Sequence, residues 1–270
     1  MRHIEHRTRG TQHGFIRRMV SPGDLGARLK PLVFLDFVHG PVPKGAGFGF
    51  HPHSGIATLT YALDADAAYE DTAGQKGIVE ATGLEWMRAG EGTWHQGFVH
   101  PRRETTTAFQ LWVALPPSLE NGPPEGIYVA PTQVPQVGHV RVLLGDFGGR
   151  AHPIPAPSSM TYLDVVLDAG EAWRFTPRPD PTVGWAFVYR GAARVAGEPV
   201  REELVVLDAS NGEVVIDALE PSRVLVGSAA PHPHRLVLGS HSVHTNEASL
   251  ARGEATIREV AAQLRRDGRV

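Results

Sequence analysis

His51 and His53 stand one residue apart in Gly45-Ala-Gly-Phe-Gly-Phe-His-Pro-His-Ser-Gly55, and His95 closes the later stretch Glu85-Trp-Met-Arg-Ala-Gly-Glu-Gly-Thr-Trp-His95. Successive side chains on a strand alternate between its faces, so His51 and His53 project from one face while Pro52 points away. Two imidazoles on one face can meet one ion. If the strand ending at His95 lies beside theirs, a third imidazole joins them, and three neutral ligands leave coordination positions open for water or substrate. The plainer alternative is that the pair hydrogen-bonds within a barrel mouth and His95 is a turn residue.

Composition narrows the chemistry. The 270 residues include no cysteine, which removes a thiolate zinc site, a disulfide framework and a cysteine nucleophile together and fits a reducing compartment. The 26 basic and 29 acidic residues are interspersed and leave a net charge of -3. No basic stripe of the kind that phosphate backbones require is present, so direct nucleic-acid binding is not expected. The first twenty residues are charged throughout, and no later run is long and apolar enough to span a bilayer. The expectation is a cytoplasmic protein without a membrane partner. A phosphate-binding Gly-rich loop and a nucleophile elbow are both missing.

The elements that must position the histidines are short. Gly14–Val20, Pro31–His39, Ala57–Leu63, Ala68–Thr72, Gly77–Ala81, Leu84–Arg88 and Phe109–Leu115 are rich in β-branched or aromatic residues and are separated by Gly, Asp and Pro turns. Such spacing predicts a sandwich or barrel. From Leu115 to Pro135 six prolines exclude helix interior and central strand, and the stretch reads as a linker. A second series of strands follows between His139 and Val226, which suggests a duplicated β unit. Near the end Leu250, Ile257, Val260, Ala261 and Leu264 fall at helical spacing after a possible Asn246 N-cap, predicting one helix to about Arg266.

With these elements placed, Gly45-x5-His51-x-His53 and Gly92-x2-His95 resemble the two metal motifs of the cupin superfamily. Phe-His-Pro-His-Ser-Gly, Tyr-Glu-Asp-Thr-Ala-Gly, Glu-Trp-Met-Arg-Ala-Gly-Glu-Gly, Phe-Gln-Leu-Trp-Val-Ala-Leu and His244-Thr-Asn-Glu247 more closely resemble the pirin family. The likeness covers nearly the whole chain. It implies an all-β bicupin, two jelly-roll β-sandwich domains face to face with a C-terminal helix: residues 1–120 holding the metal, 121–245 without metal, and 246–270 as the helix. It also implies one divalent transition metal on His51, His53 and His95, iron first, with nickel, copper, zinc or manganese as alternatives. One departure matters. Pirins usually carry a glutamate ligand two residues after the third histidine, where this chain has Gly97, and the general cupin glutamate is replaced by Ala57 and Thr58. The site is then three histidines plus water, or gains a substitute from Gln96, His100 or Glu91 in the loop.

Three function classes follow from the resemblance. One is a metal-dependent dioxygenase resembling quercetin 2,3-dioxygenase, acting on a flavonol-type or other small aromatic molecule. Another is a non-catalytic, metal- or ligand-binding regulatory protein that works through protein contacts. The third is a scaffold that has lost its metal and kept a small-ligand pocket. Among the remaining candidates, Trp94 could line a pocket beside His95, and His39 reads as a hydrogen-bonded structural residue. His232 and His234 repeat the spacing without a third partner, and His241 and His244 read as seating the terminal segment.

Overall fold

The computed structural model describes residues 2–178, 180 and 182–270. Its short β-branched runs form antiparallel strands, with one short helix, Leu25–Leu29, and one long one, Glu247–Arg266, so the all-β class with a C-terminal helix holds. Asn246 caps the long helix by accepting from the Ser249 amide at 2.9 Å. Ala261 and Leu264 are buried along it, while Leu250, Ile257 and Val260 are half-buried. No helix among the described residues is long and apolar enough to cross a membrane.

The chain divides into two compact units, neither continuous in sequence. One, here the His unit, joins Gln12–Gln133 to His232–Val270; the other joins Met1–Thr11 to Val134–Pro231. This differs from the sequential partition at 120 and 245. The reason lies in pairing at the chain ends: Ile4–Thr8 adds antiparallel to Glu198–Leu207, and beyond Pro231 the chain bridges back at Ser242 to Ser54. The stretch expected to be a linker also differs. Its proline-free part, Glu125–Val129, is a strand paired with Leu84–Arg88, and its place at a sheet edge is what lets prolines flank it.

In the His unit a seven-stranded sheet runs in the order Glu125–Val129, Leu84–Arg88, Ile56–Ala62, Thr106–Ala114, Leu32–Gly40, Ile16–Val20, Thr11–His13, and a four-stranded sheet in the order Gly47–His53, Thr93–Pro101, Ala65–Asp71, Lys76–Val79. In the other unit the interior is apolar, built from residues such as Val142, Leu163, Val165, Val188, Val224 and Val226. The seven-stranded sheet is different on the face it turns toward the four-stranded one. Register places Thr58 beside Trp112 and Met87, and Thr60 beside Gln110 and Glu85. Thr60 Oγ1 lies 2.9 Å from Glu85 Oε2 and 3.0 Å from Gln110 Oε1.

Burial is the main cause that pushes the Glu85 carboxyl up to about 7, with the charge of Asp71 adding to it and the Thr60 hydroxyl opposing it. The folded-state value lies above the ordinary 4.5. Stability contributed by the neutral carboxyl is therefore complete below about 4.5 and is lost as pH rises through about 7. Glu85→Gln cannot ionise. Denaturant unfolding of this variant should match wild type at pH 4.5 and exceed it at pH 8 by up to about 3 kcal/mol. A stability difference that does not change with pH would show that Glu85 is not neutral in the fold.

Candidate metal centre

Strand Gly47–His53 pairs antiparallel with Thr93–Pro101, setting His51 opposite His95 and His53 opposite Thr93. All three histidines therefore project from one face of the four-stranded sheet. Ring centroids are 5.1 Å apart for His51 and His53, 4.3 Å for His51 and His95, and 5.1 Å for His53 and His95. Their ligand-capable nitrogens lie within 4.8 Å of one another, the one such group of three found among the described residues.

Hydrogen bonds select which nitrogen is free. His51 Nδ1 lies 2.8 Å from the Gly49 carbonyl and His53 Nδ1 lies 3.0 Å from the His241 carbonyl. A carbonyl only accepts, so each Nδ1 carries the proton and each Nε2 keeps its lone pair. His95 Nε2 is buried and has no hydrogen-bond partner. Burial, then the neighbouring His51, drives the His53 pKa down to about 3. Burial, then His53 and His51, holds His95 well below its ordinary value, and burial lowers His51 although the Gly49 carbonyl works against it. Three neutral imidazoles, one with a buried orphan nitrogen, form a donor set that fits a divalent transition metal.

Around them, Trp112 from the seven-stranded sheet meets the His53 ring edge-on at 4.8 Å. Phe48 flanks His51 at 5.8 Å and is 57% exposed, marking the solvent side. Asp71 lies opposite His95 across the ladder, and burial raises its pKa. Behind His53 the chain turns sharply through Gly55. Its φ is +73°, and a Cβ there would come within 2.0 Å of the Val243 carbonyl, so only glycine fits. Ser54 Oγ donates to Ser242 Oγ at 2.8 Å and lies 2.9 Å from His244 Nε2. Glu120 accepts from the Thr245 amide and hydroxyl at 2.7 and 2.8 Å. Ser54, His244 and Glu120 are residue types of a nucleophilic relay, yet all three are buried. They seat residues 242–245 on the His53 strand.

The expected substitute ligands stand elsewhere. Strand alternation turns Gln96 and His100 away from the face that carries His95, pairing them with Glu70 and Asp66, and the Gln96 amide donates to Glu70 at 3.0 Å. Glu91 is exposed in the turn before Thr93. Trp94, expected to line a pocket, donates its indole N–H to the Ile257 carbonyl at 2.9 Å and anchors the terminal helix. The aromatic against the site is Trp112, which sequence reasoning passed over because its alternating strand does not announce which face is inward. Gly97 does share the His95 face, opposite Tyr69. A Cβ there would meet only the Ala68 carbonyl, at 3.7 Å. His232 of the second His-x-His pair is buried, with Nε2 3.2 Å from the Leu115 carbonyl.

A family model described as pirin matches residues 15–113. A pirin-like protein of Caulobacter vibrioides is 31% identical over 192 residues, covering 68% of this chain and 69% of that protein. The crystal structure of quercetin 2,3-dioxygenase from Acinetobacter baumannii superposes with a TM-score of 0.87 at 21% identity, covering 96% of this chain and 97% of that one. Bacterial pirin YhhW from Escherichia coli, in complex with nickel(II), superposes with a TM-score of 0.66 at 20% identity, covering 82% and 94%. Structural likeness at these identities carries the bicupin fold, and the sequence match carries the family: this chain belongs to the pirin family.

Proposed function

We propose that this protein is a metal-dependent dioxygenase that holds one divalent transition metal on His51, His53 and His95 and acts on a small aromatic substrate of the flavonol class. The observation that carries it is the convergence of three neutral imidazoles, with His95 Nε2 buried and bonded to nothing. Support for the substrate class comes from the Acinetobacter quercetin 2,3-dioxygenase, and support for the ion from the nickel(II) in the YhhW structure. Iron(II) is the first candidate, with nickel, copper, zinc and manganese as the alternatives. When bound, such an ion supplies Lewis acidity toward a substrate hydroxyl and a redox partner for dioxygen.

The chain's own residues do the rest. Carbonyl oxygens of Gly49 and His241 hold the protons on the two Nδ1 atoms, which keeps the ligand nitrogens aimed inward. Phe48 at the exposed side offers an aromatic face on which a flat ligand can stack, while Trp112, itself stacked on Phe34 at 3.9 Å, forms the aromatic wall against His53. The polar row of Thr58, Thr60, Gln110 and Glu85 on the same sheet as Trp112 supplies hydrogen-bonding groups behind them.

The decisive experiment loads the metal-free protein anaerobically with iron(II) or nickel(II) and then adds quercetin in air. Elemental analysis should find about one ion per chain, as a single three-imidazole site requires, and oxygen uptake should accompany loss of the flavonol. His51→Ala combined with His53→Ala should abolish both, with the circular dichroism spectrum retained. Metal uptake without turnover would replace the enzyme by a metal-dependent binding protein, and absence of uptake by wild type would end the proposal.

A further inference from the structure

The inner face of the seven-stranded sheet carries two buried polar atoms that its own hydrogen bonds leave over. Neighbouring strands set Gly126, Met87, Thr58 and Trp112 side by side in one row. Both ends of that row reach the sheet that bears the histidines. Trp112 meets the His53 ring, and a Cβ on Gly126 would come within 3.0 Å of Asp71 Oδ2, the carboxylate opposite His95. Thr58 lies between these two contacts, so its side chain faces the centre. It is 0% exposed, and its Oγ1 has no hydrogen-bond partner among the described residues.

The next row, two residues along each strand, is polar from end to end: Arg18, Asp36, Gln110, Thr60, Glu85 and Tyr128. Thr60 carries one hydroxyl proton yet stands within bonding distance of both Glu85 Oε2 and Gln110 Oε1. Both contacts are made when a protonated Glu85 donates to Thr60 and Thr60 donates to Gln110, and burial, which raises the Glu85 pKa, favours that form. This order fixes the amide. Its oxygen is taken by Thr60, and its buried Nε2 is left without an acceptor among the described residues. Gln110 and Thr58 are diagonal neighbours on paired strands, near enough for one ligand atom to touch both. An unmet N–H beside an unmet hydroxyl matches a group that accepts and donates through a single atom.

We infer that Thr58 and Gln110 form a substrate subsite beside the proposed metal centre, in which a phenolic hydroxyl accepts from Gln110 Nε2 and donates to Thr58 Oγ1. This deepens the flavonol reading of the site and rests on it. Gln110 lies about 7 Å along its strand from Trp112, the residue against His53. The hydroxyl it holds is therefore not the one over the ion. The subsite selects polyphenols over a flavonol whose only hydroxyl is the one at the metal, because an analogue without the outer hydroxyl leaves both buried groups unpaired.

The test compares quercetin with 3-hydroxyflavone, which lacks the hydroxyls of the outer rings, binding to nickel-loaded full chain without air so that nothing turns over. Wild type should prefer quercetin by roughly tenfold or more, and Thr58→Val and Gln110→Met should each weaken quercetin roughly 5- to 100-fold while leaving 3-hydroxyflavone within about twofold. Thr58→Val removes no hydrogen bond from the ligand-free chain, so its unfolding midpoint should hold or rise, whereas a structural role for the hydroxyl would lower it. Equal affinity of the two compounds for wild type, unchanged quercetin affinity in either variant, or equal loss of both compounds would overturn the inference and leave the flavonol reading standing. Wild type that holds nickel and binds neither compound would overturn both.

Discussion

The bond from His53 Nδ1 to the His241 carbonyl is the joint on which the centre turns. It sets the tautomer of the most deeply buried ligand candidate, and it makes a segment 188 residues away in sequence part of the site. A hydrogen bond of this kind contributes only about 1 kcal/mol net, but a buried imidazole N–H left without an acceptor costs about 1–3 kcal/mol. The second figure governs here. The tail must therefore be held accurately, and the arrangement around Ser54 does so: Gly55 bends the chain out of its path, Ser54 meets Ser242 and His244, and Glu120 collects both donors of Thr245. The C-terminal helix continues this anchoring, since the Trp94 indole reaches its backbone one residue from His95.

The two units use the same strand rhythm for opposite purposes. Valine and leucine fill the interior of the one formed by Met1–Thr11 and Val134–Pro231, where stability comes from apolar area removed from water. In the His unit one interior face gives part of that up to Thr58, Thr60, Glu85 and Gln110, with Thr58 Oγ1 and Gln110 Nε2 lacking partners. Such groups are costly to bury unless a ligand or water meets them. The histidines add a liability of opposite sign to that of Glu85. The folded pKa of His53, about 3, lies below the ordinary 6.5, so the stability tied to its neutral form is complete above about 6.5 and lost as pH falls toward 3. A protein built around this centre is therefore acid-sensitive, and an ion on the imidazoles would oppose that loss by binding only the neutral form.

Much of this was legible beforehand because it depends on local period. Alternation alone puts His51 and His53 on one face, Gly and Pro punctuation marks the strands, and Asn246 before an apolar stripe marks the helix. What escaped was long-range. Nothing near Ile4–Thr8 says that it will pair with Glu198–Leu207, and nothing in the proline-rich stretch says that five free residues suffice for an edge strand. The substitute-ligand question failed differently. Treating the residues after His95 as loop left Gln96 and His100 free to turn inward, but a continuous strand from Thr93 to Pro101 fixes them outward by parity. The seating of the terminal segment, expected of His241 and His244, is made by the backbone carbonyl of the first and the ring of the second.

The missing carboxylate bears on charge more than on geometry. Position 97 lies on the ligand face and has room, so glycine there is not forced by the backbone. A glutamate would bring one negative charge to the ion and partly satisfy it before any substrate arrived. Without it, charge compensation falls to what binds next. In a buried setting, where charges are poorly screened, a dication with neutral ligands lowers the pKa of a bound hydroxyl strongly. On the proposed reading, a phenolic or enolic hydroxyl held at such a centre would ionise more readily, and Asp71, on the same face as His95, would be the carboxylate placed to take its proton. On that reading, glycine at 97 withholds a base from the centre, and the same absence would raise the acidity of the substrate that the base would have served.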